Sequence, residues 1–529
     1  MTAKPKVLIS DKMSAQAAEV FASRGVDVIV KTDMTPDELR EAIKEYDGLA
    51  IRSSTKVTPD ILISAAGKLK VIGRAGIGVD NVDISAATQN GVVVMNTPFG
   101  NSITTAEHSV AMLMALARQI PQANQSTHAG KWEKSKFMGQ ELFGKTLGVI
   151  GCGNIGAIVA DRAIGLKMKV VAFDPFLSAD RAIEIGVEKV ELEDLLKRAD
   201  FITLHTPMTD GTRGIINAEA LAKCKKGVRI INCARGGLVV EADLKAALDS
   251  GHVAGAALDV FEEEPAKENA LFGHENVICT PHLGASTVEA QENVALQVAE
   301  QMANFLLHGA VSNAINMPSV SAEDAPKLRP YMKLAEQLGS FAGQLVEGNV
   351  KDIRIQYEGA VASLNIKPLT ALVLAGFLKP SMEGVNIVSA PLKAKERGIS
   401  LSEVTREKAV RYQTLIRISI TTDAGESTIS GTVIGDDMPR IIEIDGLPME
   451  TTVNKNMLYI LNQDKPGLIG AVGTMLGNAG INIADFTLGR IPDKNTAIAL
   501  ITTDDPVSGK LLDDIAGIEQ VERVEGLRF

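Results

Sequence analysis

Aromatic residues are scarce in this chain of 529: they amount to 4%, with one tryptophan, Trp132. A surface that binds single-stranded nucleic acid stacks bases on repeated aromatic side chains, so that role is not expected. Positive charge is also short. The 54 basic residues are outnumbered by 65 acidic ones, for a net charge of −11. An acidic chain without a basic run is a poor partner for duplex DNA or an anionic membrane. Only four cysteines occur: Cys152, Cys224, Cys233 and Cys279. None form a CxxC pair and no Cys/His cluster has zinc spacing, so no metal is expected. So few cysteines in so long a chain point to a reducing compartment. Long uncharged apolar runs are missing too. The run near Pro368 to Leu378 is too short to span a bilayer. The start, MTAKPKVLIS, runs straight into a strand pattern without a charged n-region and an apolar h-region. A cytoplasmic chain is expected.

Apolar content and rhythm are what the chain does have. Hydrophobic residues make up 45%, enough for large cores, and the length suits about three or four domains. From residue 6 to about 285, short apolar strands alternate with helix patterns. Thr35-Pro36-Asp37-Glu38 reads as a capping box with proline at the first helical position. Such a βαβα rhythm predicts parallel sheets covered by helices on both faces.

One stretch is especially informative: KTLGVIGCGNIGAIVADRAIGLKMKVVAFDP, residues 145–175. An apolar strand runs into Gly151, Gly153 and Gly156, and a helix pattern follows. A second strand then ends at Asp174. Gly151 permits the tight turn, Gly153 lets a pyrophosphate approach the backbone, and Gly156 lets helix and strand pack closely. The helix N-terminus offers free N–H groups to phosphates. Asp174 is placed to bond both hydroxyls of a ribose, and it would repel a 2′-phosphate. The spacing therefore predicts NAD as cofactor.

This fingerprint starts near residue 147, with about 100 residues of βα structure before it. The expected fold class is α/β: two Rossmann-like, doubly wound lobes with a cleft at their strand C-termini. Residues 99–284 form the nucleotide lobe. Residues 1–98 and the returning segment 285–316 form the other. Pro318, Pro326 and Pro330 are read as a linker. An α+β intervening domain follows over 317–452, with helix patterns at Tyr331–Val346 and Leu369–Leu378 and alternating strands around the turn Asp423-Ala424-Gly425. Residues 455–529 read strand, helix, strand, strand, helix, strand, a ferredoxin-like unit.

Three further motifs sit at strand ends. In Asn232-Cys233-Ala234-Arg235-Gly236-Gly237, an arginine can fork onto a carboxylate and polarise a neighbouring carbonyl. Asp259 to Pro265 (DVFEEEP) and Pro281 to Thr287 (PHLGAST) follow. Together with GxGxxG, in this order, they resemble the D-isomer-specific 2-hydroxyacid dehydrogenases. The motif Gly73 to Asn81 (GRAGIGVDN) and the loop Lys131 to Gly139 narrow the resemblance to the D-3-phosphoglycerate dehydrogenase branch. The length and the last unit are similar to its long form, which carries an intervening domain and a C-terminal ACT domain.

The resemblance implies the following roles. Arg235 holds the substrate carboxylate and C2 oxygen, His282 takes the hydroxyl proton, and Glu264 pairs with His282. Cofactor contacts come from Asn154, Ile155, Thr206, Cys233, Ala234, Asp259, Gly284 and Ala285, besides the glycines and Asp174. Arg52, Ser53, Arg74, Gly76 and Lys134 bind a substrate bearing phosphate and carboxylate, 3-phosphoglycerate. Asn462, Asp464 and Asn482 of the ACT unit would bind an effector, L-serine. The chain is expected to be a homo-oligomer, at least a dimer and by resemblance a tetramer. Cys152 and Cys233 are read as packing residues, His108 and His205 as structural. Two alternatives stay open: another 2-hydroxyacid dehydrogenase, such as a glyoxylate or hydroxypyruvate reductase, and an NAD-sensing binding protein of dehydrogenase-like fold.

Overall fold

In the computed structural model, the structure describes residues 4–65, 67–320, 324–408, 412–435, 437–491 and 495–529. The first sheet contains β1 (Lys6–Ile9), β2 (Asp27–Val30), β3 (Gly48–Ile51), β4 (Val71–Arg74) and β5 (Val93–Met95). All pairs are parallel, in the order β2-β1-β3-β4-β5. The second contains β6 (Thr146–Ile150), β7 (Lys169–Phe173), β8 (Glu188–Lys189), β9 (Phe201–Leu204), β10 (Val228–Asn232), β11 (Val253–Leu258) and β12 (Val277–Cys279). It too is parallel, in the order β12-β11-β10-β9-β6-β7-β8. Strands covered by helices on both faces are mostly apolar, and β3, β9 and β10 are buried at every residue, the polar Thr203, Arg229 and Asn232 included.

Two long helices tie the lobes. Ser102–Arg118 buries Ala106, Leu113 and Leu116 on the second sheet, beside Leu147, Val149 and Ala160. Val288–His308 returns to the first sheet, packing Val294, Val298 and Met302 among Val7, Phe21, Ala50 and Val71. Its start is set by Thr287, whose hydroxyl accepts from Ala290 N–H at 3.2 Å, and its end by Gly309 in the left-handed region.

Beyond residue 345 the sheets turn antiparallel. β13 (Val350–Gly359), β14 (Ser400–Arg406), β15 (Thr414–Thr422), β16 (Glu426–Ile434), β17 (Met438–Ile444) and β18 (Leu447–Thr451) form one sheet, in which only β13–β14 is parallel. β19 (Asn456–Gln463), β20 (Ile483–Ile491), β21 (Thr496–Thr503) and β22 (Val521–Arg528) form the last, in the ferredoxin-like order β20-β21-β19-β22. The linker reading of the prolines needs correction. A helix already starts at Ala325 and runs to Leu345, with Pro326 in its first turn and Pro330 inside. An interior proline costs about 3 kcal/mol. Burial of Leu328, Leu334, Leu338 and Phe341 offsets it, since each large apolar side chain contributes about 1.5–3 kcal/mol. The partner helix Lys367–Leu378 is buried on nearly every face, as expected of one apolar all round.

One continuous core joins the first lobe to the intervening sheet and to Met457, Tyr459 and Leu500 of the last sheet. The nucleotide lobe keeps separate cores on the two faces of its sheet. No helix among the described residues is long and apolar enough to cross a membrane.

Candidate active site

The nucleotide sheet reverses its strand order between β6 and β9, the switch point where open sheets bind ligands. Gly151 turns the chain there at φ 89°, with its N–H on Phe173 C=O at 2.9 Å. The backbone of His205 and Thr206, after β9, lines the same turn within 3 Å of where a Gly151 side chain would stand. Asn154 and Ile155 open the helix Asn154–Gly165, and no side chain caps its first N–H groups. Beside Gly153 the space is open, with nothing within 4 Å of a side chain's first carbon. The Asp174 carboxylate is fixed at the end of β7 by N–H groups of Cys152 and Phe176, each at 2.8 Å. Each of its oxygens keeps a lone pair for a further donor such as a ribose hydroxyl. An open glycine face, an uncapped helix start and a fixed acid fit a dinucleotide.

The adjacent ends of β10, β11 and β12 bring the three catalytic candidates into one network. Buried Asn232 folds the loop after β10: its amide donates to Arg235 C=O at 2.8 Å and its oxygen accepts from Ala234 N–H at 3.1 Å. The next residue, Gly236, lies so close to Phe261 C=O that a side chain there would stand 1.7 Å from it. Phe261 N–H donates to Glu264 at 3.0 Å, and the other Glu264 oxygen meets His282 Nδ1 at 2.6 Å. Burial alone would raise the Glu264 carboxyl, but the hydrogen bonds from His282 and Phe261 N–H outweigh it and hold it below its ordinary value. An ionised carboxylate only accepts, so Nδ1 carries the proton and Nε2 is left free to exchange one.

His282 itself stands in the left-handed region, φ 54°, a strain of about 1 kcal/mol or more. Asp259 holds it there. Its C=O accepts from His282 N–H at 2.9 Å, and its buried carboxylate accepts from Leu283 N–H, Gly284 N–H and the Thr280 hydroxyl at 2.6–2.8 Å. His108 Nε2 approaches the same carboxylate at 3.2 Å. Burial pushes the Asp259 carboxyl up, and the His108, Thr280 and Leu283 bonds bring it below the ordinary range. His108, read as structural, thus braces the loop that carries His282 from behind. A helical histidine facing an acid 151 positions away leaves no local signal in the sequence. Cys233 also lies within 4.8 Å of this pair. Its thiol is pushed up to about 12 by burial, with Asp259 acting the same way. Burial likewise raises Cys152 to about 11, which suits packing residues rather than nucleophiles. His205 is pushed down to about 3 by burial, and its Nδ1 has no partner. Ala285 follows Gly284 on the loop, half-buried.

Arg235 reaches the first lobe, its Nε donating to Asp80 at 3.0 Å. Arg74 lies beside it, largely enclosed, with Nε buried and unpartnered. Burial pulls Arg74 down to about 10, Arg235 and Arg52 push the same way, and Asp80 and Asp11 oppose them. Gly76 makes room for the Arg74 guanidinium, 1.8 Å from where its side chain would begin. Arg52 and Ser53 line a neighbouring cavity of about 460 Å³ with Lys12, Lys56, Asp11 and Asp33, the Asp33 carboxylate lying 3.7 Å from Lys12 Nζ. With Arg74 and Arg235 the basic groups still outnumber Asp11, Asp33 and Asp80, a balance that suits an anionic ligand. Lys134 is not brought into the cluster: it stays exposed, without an ion pair among the described residues.

The chain matches family models for the NAD-binding domain of D-isomer specific 2-hydroxyacid dehydrogenases (residues 110–284), the D-3-phosphoglycerate dehydrogenase intervening domain (327–445) and the ACT domain (456–520). It is 44% identical over 521 residues to the D-3-phosphoglycerate dehydrogenase of Bacillus subtilis, covering 98% of this chain and 99% of that one. The chain belongs to the D-3-phosphoglycerate dehydrogenase family. The corresponding protein of Synechocystis is 44% identical over 526 residues, 98% of this chain and 94% of that one. Among solved structures, NAD⁺-bound 3-phosphoglycerate dehydrogenase of Entamoeba histolytica matches with TM-score 0.51 and 29% identity, over 59% of this chain and 99% of that one. A glyoxylate reductase of Paecilomyes thermophila matches with TM-score 0.56 and 28% identity, over 60% of this chain and 99% of that one.

In this family's ACT unit, the three expected effector residues are less open than the sequence implied. Asp464 is paired with Arg490, at 2.7 and 2.8 Å. Asn482 donates to Asp504 at 2.9 Å. Asn462 is buried, with its side-chain oxygen unpartnered.

Proposed function

We infer that the chain oxidises 3-phospho-D-glycerate to 3-phosphooxypyruvate with NAD, the entry step of L-serine synthesis. The convergence of Arg52, Arg74 and Arg235 beside the His282–Glu264 network carries this reading. A substrate with two anionic ends suits three guanidinium groups better than a simple 2-hydroxy acid does. Arg235 holds the carboxylate and the C2 oxygen, and the first-lobe arginines take the phosphate. His282 Nε2 accepts the C2 hydroxyl proton while Glu264 stabilises the resulting imidazolium. NAD, held at the Gly151–Gly156 turn and by Asp174, would supply the acceptor for the C2 hydride. NADH formation from 3-phosphoglycerate, against D-glycerate, D-lactate and 2-phosphoglycerate, is the test. Equal or faster oxidation of an unphosphorylated acid would overturn the substrate and favour the 2-hydroxyacid reductase reading.

Asp174 sets the cofactor. Its fixed charge repels a 2′-phosphate, and the next residue is Pro175 rather than a base. NAD is expected to be used well ahead of NADP. Asp174→Ala should weaken NAD by about tenfold or more, the loss of a charge-assisted hydrogen bond, and narrow the gap. Equal kcat/KM for both cofactors in the native chain would count against this.

The ACT unit is read as an L-serine site at the turn after β19, working between copies of the chain. Asn462 offers an unpartnered acceptor there, and Asp464 could exchange Arg490 for the ligand ammonium. Exposed Trp132, Met138 and Phe143 on one segment of the nucleotide lobe support at least a dimer, and by resemblance a tetramer, which sedimentation reads directly. Calorimetry should show serine binding to the native chain and not to Asp464→Ala, with weaker binding when substrate is present. No heat and no inhibition at millimolar serine would leave an assembly unit.

A further inference from the structure

We propose that Asp80 is a positioning residue: it grips Arg235 from the opposite lobe and fixes which edge of the guanidinium faces the substrate. This rests on the role of Arg235 given above. The two residues are 155 positions apart, Asp80 on the loop after β4 and Arg235 on the loop after β10. Arg235 makes two directional bonds. Nε donates to Asp80 Oδ2 at 3.0 Å, and Nη1 donates to Ala234 C=O at 2.7 Å. Two bonds in one plane fix the orientation of a planar group. The three N–H donors that remain, both of Nη2 and one of Nη1, have no partner among the described residues and can meet a carboxylate and a C2 oxygen.

The loop is shaped for this grip. A side chain at Gly78 would begin 1.8 Å from Arg235 Nη2 and 2.8 Å from Asp80 Oδ2, so the backbone wraps the guanidinium closely. The loop is held in turn by the end of β5: Asn96 donates to Ile77 C=O at 2.6 Å, and Gly76 N–H donates to the Thr97 hydroxyl at 2.7 Å. Charge supplies the need. Arg74 and Arg235 repel each other, and Asp80 is the carboxylate that both feel. As a stabilising ion pair Asp80 contributes little, because its side chain is 66% exposed and such pairs are screened. Its effect belongs to orientation rather than to folding.

The test is a double-mutant cycle on the full chain, reading kcat and KM separately for 3-phosphoglycerate and for NAD. Asp80→Ala should lower kcat/KM for 3-phosphoglycerate by about ten- to hundredfold, with the KM for NAD unchanged. Asp80→Asn keeps an acceptor for Nε and should fall between Ala and the native residue. In an Arg235→Ala background, assayed at high enzyme concentration, Asp80→Ala should cost less than about twofold, because there is no guanidinium left to orient. Losses that multiply in the double variant, or an undiminished Asp80→Ala, overturn the proposal. A native chain inactive on 3-phosphoglycerate overturns the substrate assignment instead. The same cycle on whichever of D-glycerate or D-lactate it does oxidise then decides Asp80.

Discussion

His282→Ala is expected to lower kcat for 3-phosphoglycerate oxidation by about 10²- to 10⁴-fold, the usual worth of a positioned general base. NAD affinity should survive, because the glycine turn, Asp174 and the Asp259 carboxylate are all untouched. Glu264→Gln separates charge from shape. The amide still fills the space between Phe261 N–H and His282 Nδ1, but the charge that favours imidazolium is gone. The imidazolium then loses its stabilising partner, so the pH at which oxidation rises should move down, with a lower plateau. Arg235→Lys should also be poor, because a point charge cannot present two parallel donors. Stopped-flow and steady-state rates across pH measure all three. A near-native rate for His282→Ala would remove the mechanism, and an unmoved pH profile for Glu264→Gln would detach that carboxylate from it.

How far these residues could be read in advance depended on whether their partners are near in sequence. The GxGxxG turn is legible because each glycine answers a local steric demand within six residues. Glu264 and His282 stand at the ends of neighbouring strands in a parallel sheet, so the βα rhythm predicts that they meet. Asp80 and Arg235 share no element, period or spacing. Their contact exists only once two sheets have folded and faced each other. His108 and Asp259 are hidden for the same reason. Tertiary packing also overrode local signals after residue 320. Pro330 reads as a break, yet the apolar face around it keeps the helix intact. The exposed strand Ser400–Arg406 carries no clear alternation, and its parallel pairing with β13 comes from topology rather than from its own side chains. In the last unit, β19 and its turn are plain in the sequence, but the Arg490 that occupies Asp464 comes from another strand.

The two glycines of the nucleotide turn should fail in opposite ways. A methyl at Gly156 would stand 2.0 Å from the carbonyl oxygen of Gly151, which is backbone and cannot swing aside. Gly151 is already held at positive φ by the Phe173 bond, so helix and strand would have to part. Forced overpacking of this kind costs roughly 1–3 kcal/mol, occasionally more, and the thermal midpoint of Gly156→Ala should drop by several degrees before any cofactor is added. Gly153→Ala is the converse case. Its φ of −75° and ψ of −150° suit alanine, and nothing lies within 4 Å of the new methyl. The fold should therefore be as stable as the native one without NAD. The methyl instead occupies the open face that a pyrophosphate must approach. A ligand at 100 times its Kd stabilises a protein by about 2.7 kcal/mol, so NAD should raise the native midpoint visibly. In Gly153→Ala that rise should largely vanish, with an NAD affinity at least about tenfold weaker by calorimetry. If Gly153→Ala keeps the full NAD-induced rise, the pyrophosphate does not lie against this turn, and the open face beside Gly153 has another use.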